Sequence, residues 1–211
     1  MRIACATVRD AAIGVAVADR PEELTAFLNP GCAAVIWRRQ PAPDFQAWVD
    51  SLEPSNLPRG RIVLRPEAIR LALMELCEAA NAPQSSEREW LIEDAAALAE
   101  IFAELMRARY LRLRLQAVAS NACCKFHIDA VAARLLCTYR GTGTQYGISA
   151  DGQDPPRVLT VPTGAPILLR GTLWPKGPAS GLLHRSPPIE GTGETRLVLA
   201  LDVVFDPEEA E

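Results

Sequence analysis

From Pro66 onward, apolar residues recur every three or four positions, at Ile69, Leu73, Leu76 and Ala80. This spacing predicts one buried face of a helix. Pro66 suits a first helical turn, because its fixed φ is already helical and its missing N–H has no partner there. Asn81 and Pro83 close the segment. Ser86 and Glu89 have the spacing of a capping box. After them Leu91, Ala95, Leu98, Phe102 and Leu105 predict a second helix running to about Arg109. Upstream, the apolar run from Ala33 to Trp37 predicts a strand, Asp44 to Leu52 a short helix, and EPSNLPRG a loop.

At Tyr110 the period changes. The run LRLRLQAV alternates Leu with Arg or Gln, which predicts a strand with one buried face. Further strands are expected at 121–129, 132–140, 157–162, 166–170, 181–185 and 195–205. The segments between them, such as GTGTQYG, ADGQDPP, PTGAP and WPKGPASG, are rich in Gly and Pro and read as turns. Many short strands with such turns indicate a sandwich or barrel. The expected fold class is α+β in one compact unit. A mainly helical layer with a short strand (residues 1–109) packs outside a β core (residues 110–211).

Composition narrows the function classes. The 211 residues are 49% hydrophobic and 23% charged, enough apolar material for a core that needs no metal or disulfide staple. The formal net charge of −4 argues against non-specific nucleic-acid binding, which depends on neutralising phosphates. No apolar run approaches the roughly 20 residues of a membrane span, so no membrane partner is expected. Asp10 interrupts the apolar core that a secretion signal would need, so the expected location is the cytoplasm. Cys5, Cys32 and Cys77 stand isolated among apolar residues and read as small reduced core residues. No C-x-x-C occurs, so a zinc ribbon fails on spacing. The terminal DPEEAE reads as a solvated end.

Candidate chemistry centres on the two histidines, His127 and His184. Asp129 follows the first by two residues, and on a strand such a pair shares a face. Either histidine alone reads as an ordinary hydrogen-bonded strand residue. Together, two histidines and one carboxylate form the ligand set of the facial triad of non-haem Fe(II) oxygenases. Arg196, 12 residues after His184, opens a strand and can pair bidentately with a carboxylate.

The segment from PTGAPILLRG through GLLHRSPPIEGTGETRLVLALD resembles the C-terminal part of Fe(II)/2-oxoglutarate dioxygenases built on a double-stranded β-helix, a jelly-roll or cupin-like barrel. The resemblance covers about residues 121–205. It implies that His127, Asp129 and His184 hold Fe(II) as the catalytic centre and that Arg196 anchors 2-oxoglutarate. It further implies that oxygen is spent in decarboxylating this cosubstrate to succinate while a C–H bond of a small-molecule or protein substrate is hydroxylated. Tyr139, Thr138 and Arg134 on the following strand are candidates for orienting the ligands or lining the cofactor site. Val198 stands where many of these enzymes carry Ser.

The chain is also similar to an uncharacterised bacterial family through NACCKFHIDAVAARLLCTYRGTGT and GLLHRSPP. That resemblance carries an alternative, a zinc protein of metal homeostasis without oxygenase chemistry. Cys123 has the strand parity of His127 and Asp129 and would be an added ligand, since thiolate favours zinc. Arg185 is expected to point away from His184 as a structural residue. Trp174 either rims the pocket or belongs to an ordinary hairpin loop.

Overall fold

The computed structural model describes residues 11–149, 152–175 and 177–205. Cys5 and the DPEEAE tail therefore lie outside the described residues. Among the described residues two sheets and three α-helices, with short 3-10 segments, make up the architecture. The helices are α1 (Pro43–Ser51), α2 (Ile69–Ala79) and α3 (Ser86–Met106). The large sheet has seven strands in the order β1 (Gly14–Ala18), β2 (Cys32–Trp37), β8 (Pro166–Arg170), β5 (Ala133–Arg140), β10 (Arg196–Val204), β4 (Tyr110–Val118) and β3 (Gly60–Leu64). The small sheet has three, in the order β7 (Leu159–Thr160), β6 (Gln145–Ile148) and β9 (Leu182–Arg185). No helix of the described residues is long and apolar enough to cross a membrane.

Helix boundaries follow local chemistry. Ser85, rather than Ser86, caps α3: its side chain accepts a hydrogen bond from the backbone N–H of Arg88 at 3.2 Å. α3 ends three residues before Arg109, where Arg107 takes a left-handed φ of 51°. Asn81, with φ of 52°, terminates α2 in the same way.

The alternation in β4 separates two environments. Leu111, Leu113 and Leu115 are fully buried with Leu135, Leu197, Leu199 and Leu201 against the helices. Burying a leucine side chain contributes about 1.5–3 kcal/mol, so this face holds the helical layer to the sheet. Arg112, Arg114 and Gln116 point to the opposite face, toward the small sheet. Every residue of β10 is buried, as expected of a central strand covered on both sides. The space between the sheets is apolar at the β2–β8 end, where Ile36, Ile167 and Leu169 meet Tyr146, Val161 and Leu182. Toward β4 and β10 it becomes polar.

Several expectations are corrected. The first half supplies three strands instead of one, and β1–β2 and β3 flank the strands of the second half in a single sheet. The loop EPSNLPRG contains a 3-10 turn at Pro54–Asn56, and β3 starts at its last residue. The turn-like GTGTQYG contains the start of β6, and the strand expected at 157–162 shrinks to the two residues of β7. Residues 121–129 form no strand; only His127 makes an isolated bridge, to His184. The two sheets do not close into a barrel among the described residues.

Candidate metal centre

His184 is carried by β9, where strand alternation buries it and Leu182 while Arg185 stays half-buried at the edge of the same cavity. The backbones of His127 and His184 exchange both N–H···O=C bonds at 3.0 Å, which sets the two rings 4.6 Å apart. His127 Nδ1 lies 2.8 Å from the Lys125 carbonyl, which directs its Nε2 into the site. Asp129 arrives from an irregular loop rather than a strand. Its carbonyl accepts from Thr172 N at 2.9 Å, and Gly171 N and Leu173 N bind the carbonyls of Ala132 and Val131 at 3.0 and 3.1 Å. Gly171 permits this docking, because a Cβ there would lie 1.9 Å from the Val131 carbonyl oxygen and 2.8 Å from that of Asp129.

His127, Asp129 and His184 each direct a ligand atom into one group, all within 4.8 Å of one another. Asp129 Oδ1 is 3.5 Å from His127 Nε2, and Oδ2 is 2.9 Å from His184 Nε2. Two ligand atoms bound at about 2.1 Å and at right angles lie about 3 Å apart, so the spacing suits one ion. Asp129 Oδ2 is buried without an aligned hydrogen-bond donor. An orphaned buried carboxylate oxygen is costly, and a cation would satisfy it. The residues present therefore fit a divalent metal with open positions.

The electrostatics agree. Burial pushes the His184 imidazole below its ordinary pKa of 6.5, which keeps it neutral and able to ligate. The His127 pKa is raised by its contact with Asp129. Burial alone would raise the Asp129 carboxyl, but the two imidazoles and the Arg134 guanidinium hold it well below the usual carboxylate range.

Arg134 on β5 bonds Asp129 through one terminal nitrogen. It also grips the buried Asp202 of β10 side-on at 2.5 and 2.9 Å. It therefore touches the carboxylate ligand and neither histidine. Arg196 lines the same cavity of about 80 Å³ as His127 and His184. It is 1% exposed, donates to the Thr142 carbonyl at 2.6 Å and to Thr138 Oγ1 at 3.3 Å, and has no carboxylate within 4 Å among the described residues. Burial pulls its pKa down to about 10. Thr138 thus holds Arg196 in place.

The other candidates do not join the ligand group. Tyr139 is on the opposite face of β5, in the helical core, where its hydroxyl donates to Asp94 at 2.7 Å. Strand parity separates it from the site, which corrects its assignment as a cofactor-site residue. Cys123 is exposed with a left-handed φ of 56°, and its thiol does not join the ligand group. Cys123 nevertheless lines the same cavity as His127 and His184, from a turn rather than from a strand. Arg185 donates to Gln145 at 2.8 Å and stacks on Phe126, and it also lines the cavity. Trp174 packs edge-on against Phe27 and under Arg170, in the core rather than on the pocket rim. Sequence reasoning missed Gly171, Asp202 and Arg114. The Leu–Arg alternation was the only available signal, and it marked Arg114.

Residues 18–202 match the family of proteins of unknown function DUF1826. The chain belongs to that family. Among curated proteins nothing matches. Solved structures do resemble this DUF1826 protein. The dioxygenase for auxin oxidation 1 of Arabidopsis thaliana, in complex with 2-oxoglutarate, superposes with a TM-score of 0.54 at 12% identity over 93% of this chain and 94% of that one. The rice dioxygenase for auxin oxidation gives a TM-score of 0.50 at 15% identity, covering 93% and 84%. At these identities the likeness establishes a shared fold.

Proposed function

We propose that this DUF1826 protein is an Fe(II)- and 2-oxoglutarate-dependent oxygenase. The observation that carries the reading is a small cavity lined by His127, His184 and a buried arginine that has no carboxylate within 4 Å among the described residues, with Asp129 joining the two histidines in one ligand group. A protein that only stores metal has no use for such an arginine. The order of strand pairing supports a jelly-roll reading of the core. β4 pairs with β10, His127 bridges β9, β5 pairs with β8, and β6 pairs with β7. First pairs with last inward to the middle, as when one long hairpin is rolled up. The folds of the auxin dioxygenases, one of them solved with 2-oxoglutarate, point the same way.

His127, Asp129 and His184 would hold the metal, and the chemistry it supplies is the activation of oxygen at the expense of a 2-oxo acid. Arg134 holds Asp129 through Oδ1, so that Oδ2 stays turned to His184. Arg196 would bind the distal carboxylate of 2-oxoglutarate, with Thr138 and the Thr142 carbonyl orienting its guanidinium. The cavity walls, Val198, Ala200 and Leu136, restrict water around the reacting atoms. Cys123 lines the cavity but stays outside the ligand group, so the zinc-homeostasis alternative gains no fourth ligand from it in this arrangement.

The test is anaerobic titration of the metal-free protein with Fe(II) and 2-oxoglutarate, read by the visible charge-transfer band of the chelate. A band saturating at one equivalent of each is expected. His127→Ala and Asp129→Ala should lose tight metal binding, and Arg196→Leu should keep metal but weaken 2-oxoglutarate at least tenfold. Iron binding without a band, with zinc bound more tightly, would overturn the reading.

A further inference from the structure

The small sheet sets three strands against the seven of the large one, and the β1 end of the large sheet is left uncovered on that side. Ala16 and Ala18 of β1 pack into the helical core. Val15 and Val17 alternate to the other face, where Val17 is 58% exposed. Between β1 and the small sheet lies a cavity of about 750 Å³, whose walls of Ile13, Val15, Ile148, Pro156 and Leu159 are apolar. It shares no lining residue with the small cavity at the metal ligands. Sites for small organic molecules have volumes of about 300–1,000 Å³, mostly apolar walls and a few polar groups.

Three features define the occupant. Tyr146 lines the cavity and is 9% exposed, yet its hydroxyl has no hydrogen-bond partner among the described residues and remains accessible. A largely buried hydroxyl left unpaired is unfavourable, and a ligand oxygen accepting its proton would satisfy it. Burial raises the Tyr146 pKa above its ordinary 10, so the group is a donor at neutral pH. The charged side chains lining the cavity are Asp154 and Arg157, both exposed and opposite in sign. Together they favour an occupant without net charge. Lastly, Tyr146 lies directly opposite His184 in the β6–β9 register. Side chains so opposed share a face, with Cβ atoms about 5 Å apart. The cavity therefore begins one side chain away from a metal ligand.

We propose that this cavity is the substrate site of the oxygenase and takes an uncharged, mostly apolar small molecule through one carbonyl or hydroxyl oxygen, bound by the Tyr146 hydroxyl. The substrate assignment rests on the oxygenase reading, while the site and its ligand class rest on the cavity alone.

The experiment is ligand-detected NMR titration of the Zn(II)-loaded protein, saturated with 2-oxoglutarate, using acetophenone, ethylbenzene and benzoate as probes. Acetophenone should bind at one site, ethylbenzene about three- to tenfold more weakly for want of an acceptor, and benzoate more weakly still. Tyr146→Phe should bring acetophenone down to the level of ethylbenzene, leave ethylbenzene within twofold and leave metal affinity unchanged. Ile148→Trp, at a 44% exposed position, should fill the cavity and weaken both neutral probes at least fivefold, so the site stays testable if Tyr146→Phe folds poorly. With Mn(II) in place of Zn(II), the resonances of bound acetophenone should broaden, since paramagnetic relaxation acts only at short range. No acetophenone binding, benzoate bound as tightly as acetophenone, or acetophenone affinity unchanged in either folded variant would each overturn the proposal. Binding without Mn(II) broadening would overturn the substrate assignment. If the wild-type protein takes no 2-oxoglutarate, the oxygenase reading fails separately. Acetophenone binding that Ile148→Trp removes would then still support the site, and binding that survives in that variant would overturn it.

Discussion

Asp202 offers a direct measure of how much the charged layer behind the site depends on one group. Its carboxylate is 1% exposed and contacts three guanidiniums, bidentately from Arg134 and singly from Arg114 and Arg112. Asp202→Asn keeps the shape but removes the only negative charge among them on β10. Removing one partner of a buried pair costs about 3–5 kcal/mol, because the remaining charge stays desolvated and unpaired. For a chain of this size each kcal/mol moves Tm by about 2–4 °C, so the variant should melt about 6–20 °C lower. Urea unfolding followed by tryptophan fluorescence should show a lower midpoint at unchanged slope. The double variant Arg134→Met/Asp202→Met replaces both charges by apolar groups and should recover about half of that loss or more. An Asp202→Asn protein within about 1 kcal/mol of wild type would refute the reasoning, since Asp202 would then be solvated or its partners paired elsewhere.

Further outcomes test the loop, the thiols and the metal ligands. Gly171→Ala should drive the turn bearing Asp129 away from β8. It should weaken metal at least tenfold, measured by competition with a chromophoric chelator, while far-ultraviolet circular dichroism is retained. At pH 8 iodoacetamide should label Cys123 and Cys124 in the native protein and spare Cys32, Cys77 and Cys137 until unfolding. Burial pushes the Cys137 thiol up to about 12, and mass spectrometry of timed digests reads the order. Because Asp129 raises the His127 pKa above 6.5, a proton competes with the metal at that ring. Metal affinity should fall about tenfold per pH unit below that raised pKa and level off above it, and a flat profile between pH 5 and 7 would contradict ligation by His127.

Much of the helical layer and the central strands is legible because their patterns are long. α2 and α3 repeat their apolar face over several turns, and β4, β5, β8, β9 and β10 fall on the segments where strands are expected. The missed strands β1, β3 and β6 are four or five residues long, and β3 and β6 start within turn-rich composition. Their strand state comes from partners elsewhere in the chain, not from their own residues. The segment around His127 shows the converse. It reads as a strand, yet only one bridge forms, and Asp129 reaches the site through the loop held by Gly171 and Thr172.

What the chain alone determined is the chemical inventory and its order: two histidines, an aspartate two positions after the first, and an arginine 12 positions after the second. It also determined the periodicities that separate helix from strand. Only the tertiary structure decided which face of each strand meets the helices and which meets the site. Period-two alternation pairs residues by face without saying what lies opposite. That choice sent Tyr139 to the core and Arg114 to the cavity, and it brought Asp202 to Arg134 across β10 and β5. These contacts join residues 45–88 positions apart, and such proximity comes from strand pairing and packing, which no local window contains.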